Sequence, residues 1–200
     1  MVQPAAQSAQ HNPELGPELT PAKWSVADYH EMIAAGVLCD RRVELLDGMI
    51  TEMPPVDPIH EDMGDEFAIY LRSALGDRAK IRECKSITLP TSEPQPDIAI
   101  VENRRYRDHH PYPENIYLLI EIAKSKPARD LETKRKIYAR AGIREYWVLD
   151  LKLGEFRVFR EPVGDGADYD YQVDIIWEQE TIQPLAFPQV AISISNLFKP

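Results

Sequence analysis

The chain has 200 residues, 44% hydrophobic and 28% charged, enough for one globular domain with a substantial core. No run approaches the ~18–20 apolar residues of a membrane span, and Cys39 and Cys84 are too few and too far apart for a disulfide framework or a cysteine-based zinc site. The formal charge of −10 argues against tight nonspecific binding to duplex nucleic acid, whose affinity comes from neutralised phosphates.

Residues 1–21 are rich in Pro, Gln, Ala and Glu and lack both a basic and an apolar signal region. They read as a disordered leader rather than a signal peptide. A single domain is expected over 22–200, in a reducing cytoplasm and without a membrane partner.

Ser25 to Asp28 carries a capping-box pattern that opens a short helix, which Gly36 closes. Arg42–Leu46 and Met49–Met53 flank Asp47-Gly48, a strong hairpin signal. After a proline-rich break, Ile59, Met63, Phe67, Tyr70, Leu71 and Leu75 fall at helical spacing, with Gly76 as the stop. Ala79–Leu89 reads as a strand with imperfect alternation, and turn-rich residues lead from Pro90 to Pro96. Ile98–Val101 reads as a strand, and Ile116–Ala123, an almost continuous apolar run, as one buried on both faces.

A helix is expected to start near Pro127, to bury Leu131, Ile137, Tyr138 and Ala141, and to end at Gly142. Tyr146–Leu149, Glu155–Arg160, Tyr169–Trp177, Thr181–Ile182 and Val190–Ile194 read as strands, with a loop at Gly164–Gly166. The order predicts an α/β (α+β) fold with a central mixed sheet flanked by helices. The apolar Leu185-Ala186-Phe187 segment is a candidate dimer contact.

Two carboxylates stand out because a charge in an apolar run is costly unless paired or bound to a cation. Glu121 lies inside Ile116–Ala123 and shares a strand face with Leu119 and Ala123. Its alternatives are an edge-strand glutamate or a buried ion pair with an arginine. Asp97 directly follows Pro96 at the start of a strand, where a turn-forming aspartate is the competing reading. If the two converge, they make a hard, all-oxygen site suited to Mg²⁺ or Mn²⁺.

Lys134 falls beside the apolar stripe of the following helix, so its ammonium can reach inward over the sheet; an i,i+4 pair with Asp130 is compatible with that. Lys136 points away toward solvent. Glu44 sits among Val43, Leu45 and Leu46 in the first hairpin. His60 and the His109-His110 pair lack the spacing of a zinc site. Basic residues outnumber acids eight to two between Lys124 and Arg144, and Arg104, Arg105 and Arg107 form a second cluster.

Several segments together resemble the Uma2 family (DUF820), common in cyanobacteria and assigned to the PD-(D/E)XK restriction-endonuclease-like superfamily. They are Arg42–Gly48, Met53-Pro54-Pro55 with His60, Glu93–Ile98, Leu119–Ala123 and Asp130–Trp147. The resemblance implies a restriction-endonuclease-like core with an extra N-terminal hairpin and extra C-terminal strands. It implies a divalent-metal-dependent endonuclease using Mg²⁺ or Mn²⁺ on nucleic acid, with DNA the expected substrate and a homodimer an option.

Asp97 matches the motif aspartate and Glu121 the (D/E) position, the two metal ligands. The motif lysine falls on Ala123, and in this family the next helix supplies it, which implicates Lys134. Glu44 matches an N-terminal acidic position. His60 occupies a recurrent family position, and Asp130 is a further accessory candidate. Cys84 replaces a polar residue, often Gln, on the preceding strand, and Lys124-Ser125-Lys126 replaces a segment usually acidic or hydroxyl-bearing. The alternative function is a catalytically inactive nuclease-fold module that binds DNA or protein.

Overall fold

The computed structural model describes residues 21–53, 55, 57–123, 129–166 and 168–196, with side chains left out at 129–131 and 196. All of the expected leader except Pro21, the Lys124–Lys126 segment and the helix start at Pro127 lie outside these residues.

Helix α1 spans Val26–Ala34, and its capping box is complete, with Ser25 and Asp28 bonding reciprocally. Strands β1 (Val43–Leu46) and β2 (Met49–Glu52) form the expected hairpin. Its turn takes positive φ at Asp47 (46°) and Gly48 (77°), as a two-residue primed turn requires. A Cβ at Gly48 would meet Lys23 Cβ at 2.8 Å, so the turn needs glycine there for space as well.

Helix α2 spans Pro58–Leu75, with Asp57 as N-cap. It buries Phe67, Ala68, Leu71 and Leu75, while Ile59, expected on the same stripe, is half exposed. Strand β3 (Lys80–Glu83) is shorter than the Ala79–Leu89 reading, because Cys84 adopts φ 46° and breaks the extended run. Strands β4 (Ile98–Val101) and β5 (Ile116–Ala123) match their expected bounds.

The helical segment after β5 winds as a π-helix over Arg129–Lys134 and continues as α3, Arg135–Arg140. Strand β6 covers Glu145–Asp150. The loop expected at Gly164–Gly166 is mostly strand: β7 runs Glu155–Asp165 and pairs to its last residue with β8, Asp168–Ile176. Gly164 permits this tight end, since a Cβ there would lie 2.4 Å from Asp168 O. Strands β9 (Thr181–Ile182) and β10 (Ile192–Ser193) pair separately; the Val190–Ile194 reading shortens to two residues because a 3₁₀ turn starts at Ile194.

The central sheet has the order β3-β4-β5-β6-β7-β8. All its neighbours are antiparallel except β5 and β6. A parallel pair needs a crossover, and the π-helical segment with α3 supplies it. One sheet face packs Ile98, Ile120, Ile122 and Trp147 against α2 and the β9–β10 region. The opposite face packs Ala99, Leu119, Ala123 and Val148 against α3. Phe187, read as part of a dimer contact, is buried in the first of these cores beside Tyr117, whereas Leu185 is exposed. A smaller core joins α1 to β1 through Tyr29, Leu38, Val43 and Leu45. No helix among the described residues is long and apolar enough to cross a membrane.

Candidate active site

Glu121 stands near the end of the central strand β5, on the face that carries α3, and is 3% exposed. The pairing Ile98↔Ile120 between β4 and β5, carried one step further, sets Asp97 opposite Glu121. The pairing Glu83↔Ile98 likewise sets Cys84 beside Asp97, and Cys84 N–H bonds Asp97 O at 3.0 Å. Cys84, just after β3, Asp97, just before β4, and Glu121, near the end of β5, therefore form a lateral row. Two carboxylates at directly opposed positions repel one another, so the row needs compensating partners.

Those partners come from other elements. Lys134 Nζ lies 2.7 Å from Glu121 Oε1 and 3.7 Å from Glu44 Oε2, with all three side chains nearly inaccessible to solvent. Tyr138, one helical turn beyond Lys134, donates its hydroxyl to the same Glu121 oxygen at 2.9 Å. Burial, together with the charge of Glu121, pushes the Tyr138 phenol well above its ordinary range, so it stays a donor. Gln95 N–H bonds Glu44 Oε2 at 3.3 Å and ties the hairpin carboxylate to the segment that leads into Asp97.

Asp97 is held from two sides. Its Oδ2 accepts from Ile122 N–H at 2.7 Å and lies 3.0 Å from His60 Nε2 on α2. The site is consequently assembled from β1, α2, the start of β4, the end of β5 and the crossover helix. Cys84 is exposed, yet partial desolvation by its surroundings, with the charges of Asp97 and Glu121, raises its thiol pKa.

The structure thus brings together Glu44, Asp97, Glu121, Lys134 and His60. The side chain of Asp130 lies outside the described residues, so its pair with Lys134 does too. Lys136 is half exposed, near Asp168. Tyr138 read as a core residue in the sequence; only its hydroxyl, aimed at Glu121, makes it part of the site, and helical spacing from Lys134 was the available signal. Glu93, which drew no separate reading, is buried and bonds Thr88 Oγ1 and His30 Nε2 at 2.9 and 2.7 Å.

Among the described residues no three His, Cys, Asp or Glu side chains stand as a ready metal cluster. The chemistry of the donor set nevertheless suits a hard cation: Asp97 and Glu121 offer carboxylate oxygen, and Asp97 accepts both of its hydrogen bonds on Oδ2 alone.

The model of the Uma2 family, described as "Putative restriction endonuclease", matches residues 26–195. Among solved structures, a "putative nuclease belonging to DUF820" from Anabaena variabilis ATCC 29413 has a similar fold, with a TM-score of 0.62 and 17% sequence identity. The match covers 78% of this chain and 89% of that one. No curated protein matches the chain. With the family model spanning most of its length, the chain belongs to the Uma2 family.

Proposed function

We propose that this protein is a divalent-metal-dependent endonuclease that hydrolyses phosphodiester bonds of nucleic acid. The observation that carries this reading is the buried Lys134 ammonium 2.7 Å from Glu121, with Asp97 Oδ2 held at 2.7 Å by the N–H of Ile122, the residue after Glu121 on β5. Family membership and the nuclease-like fold support the same class.

Asp97 and Glu121 would hold Mg²⁺ or Mn²⁺, with Glu44 as the third carboxylate nearby. When bound, such an ion polarises the phosphate and lowers the pKa of an attacking water. Lys134, with three donors and a fixed position, orients that water or donates to a phosphoryl oxygen as charge builds in the transition state. Tyr138 holds the Glu121 carboxylate in place while Lys134 is engaged. His60 and Ile122 N–H hold Asp97 Oδ2 so that the rest of its carboxyl faces the substrate side. A homodimer would let two such sites act on two strands, an argument from fold analogy.

The test is a cleavage assay on plasmid, single-stranded and structured DNA, with Mg²⁺ and with Mn²⁺, run beside Glu121→Gln. Cleavage by the wild type alone is the expected result. No cleavage with either ion, together with no metal-induced rise in melting temperature, would overturn the proposal in favour of an inactive binding module.

A further inference from the structure

A second feature lies away from the carboxylate row. A cleft of about 490 Å³ opens between α1 and the loop that follows β4, with His30, Thr88, Tyr106, Arg107, His109 and Tyr112 in its walls. Its aromatic side chains are already arranged for stacking. His109 and Tyr112 lie parallel, with centroids 4.7 Å apart and planes at 10°, and Tyr106 meets His109 edge-on at 5.9 Å. Tyr112 is 39% exposed, so its ring is open to a further planar group.

Arg107 lines the cleft, and three further cations pack on the Tyr106 ring that forms one of its walls. Lys80, Arg82 and Arg104 sit over the Tyr106 ring at 5.9, 5.4 and 5.6 Å. Arg82 Nε is buried and bonds nothing among the described residues. Arg105 and Arg107 extend the group, against Glu102, Asp108 and Glu114 in the segment between β4 and β5. In a chain of net charge −10, this is a concentrated basic and aromatic surface.

The cleft also lies close to the carboxylate row. Thr88 and His30 line it and bond Glu93. Glu93 is four residues before Asp97, so their Cα atoms are at most about 14 Å apart even in a fully extended chain.

We propose that this cleft binds an unpaired nucleic-acid strand flanking the cleavage point, with a base stacked on Tyr112 and phosphates on Arg107 and its neighbours. The inference rests on the nuclease reading and names its substrate class. A duplex hides its base faces in the helix, whereas an unpaired base presents them to aromatic side chains. Stacking and phosphate neutralisation together fit a single strand better than any uncharged ligand.

The experiment is fluorescence anisotropy on the full chain in EDTA, with labelled oligothymidylate and a labelled duplex of equal length. Wild type, Tyr112→Leu and Arg107→Ser are compared, each with its melting temperature measured. Both substitutions are at outward positions, and leucine retains an apolar contact to His109. The expected results are tighter binding to the single strand, and about tenfold weaker binding by Tyr112→Leu with unchanged melting. Arg107→Ser should flatten the salt dependence by about 0.7 in log–log slope.

Equal binding of strand and duplex, or unchanged affinity in both variants, would overturn the inference. Cleavage by a wild type without single-strand preference would overturn it while leaving the nuclease reading intact. Strand binding that both variants weaken, by a protein that cleaves nothing, would uphold the cleft and overturn the catalysis.

Discussion

Lys134 and Glu121 are thirteen residues apart in the chain and meet as a buried ion pair of 2.7 Å across the crossover from β5 to α3. Each is less than a tenth exposed, so neither can exchange its partner for bulk water. Their interdependence makes the site testable by stability as well as by activity.

Removing Lys134 alone leaves the Glu121 charge buried beside Glu44 and Asp97. Lys134→Met should therefore destabilise the fold by about 3–5 kcal/mol, the usual cost of orphaning one member of a buried pair. Adding Glu121→Gln to Lys134→Met should recover much of that loss. Urea denaturation of the two single variants and the double variant measures the coupling; strict additivity would show that the pair is not a unit.

Glu121→Gln and Asp97→Asn should each abolish cleavage and any melting shift produced by Mn²⁺ or Mg²⁺, while circular dichroism shows the fold retained. Persistent cleavage by either variant would remove that carboxylate from the proposed metal site.

Tyr138→Phe deletes one of the hydrogen bonds to Glu121 Oε1 and preserves the ring that packs edge-on against Tyr146. A stability loss of about 0.5–1.5 kcal/mol is expected, the net worth of one hydrogen bond. Cleavage should fall further than that loss of folded protein explains, because the carboxylate is no longer held. A turnover rate equal to that of the wild type would confine Tyr138 to the core.

His110 carries a prediction about pH. Its side chain is partly buried, and desolvation pulls its pKa below the ordinary 6.5, more than Glu93 raises it. The unfolded chain then binds a proton that the folded one releases, so stability falls as pH drops through about 6.5 and below. His110→Gln should flatten part of that decline in urea midpoints measured between pH 7.5 and pH 5. An identical slope in both proteins would show that the imidazole ring does not contribute.

Much of the fold could be read from the residues in order. β4 and β5 keep their expected bounds because their apolar runs are continuous. The hairpin around Asp47-Gly48 and the capping box at Ser25 are local signals, and they formed as the local chemistry requires. β3 is shorter than its residues suggest because nothing in their composition announces that Cys84 takes a left-handed conformation. β7 is longer than its residues suggest because Gly164, a loop signal in isolation, here allows a close strand approach.

By itself the sequence determined the element types, the presence of a charge inside each apolar strand context and the inward helical position of Lys134. These follow from periodicity and from the cost of burying charge, both of which act within a few residues. Only the tertiary structure decided that Asp97 stands opposite Glu121, that Glu44 and His60 reach the same site, and that Tyr106, His109 and Tyr112 form one aromatic wall. Strand register, side-chain pairing across 37 residues between His60 and Asp97, and the folding back of the loop after β4 are long-range outcomes. They depend on how whole elements pack, and no local pattern records them.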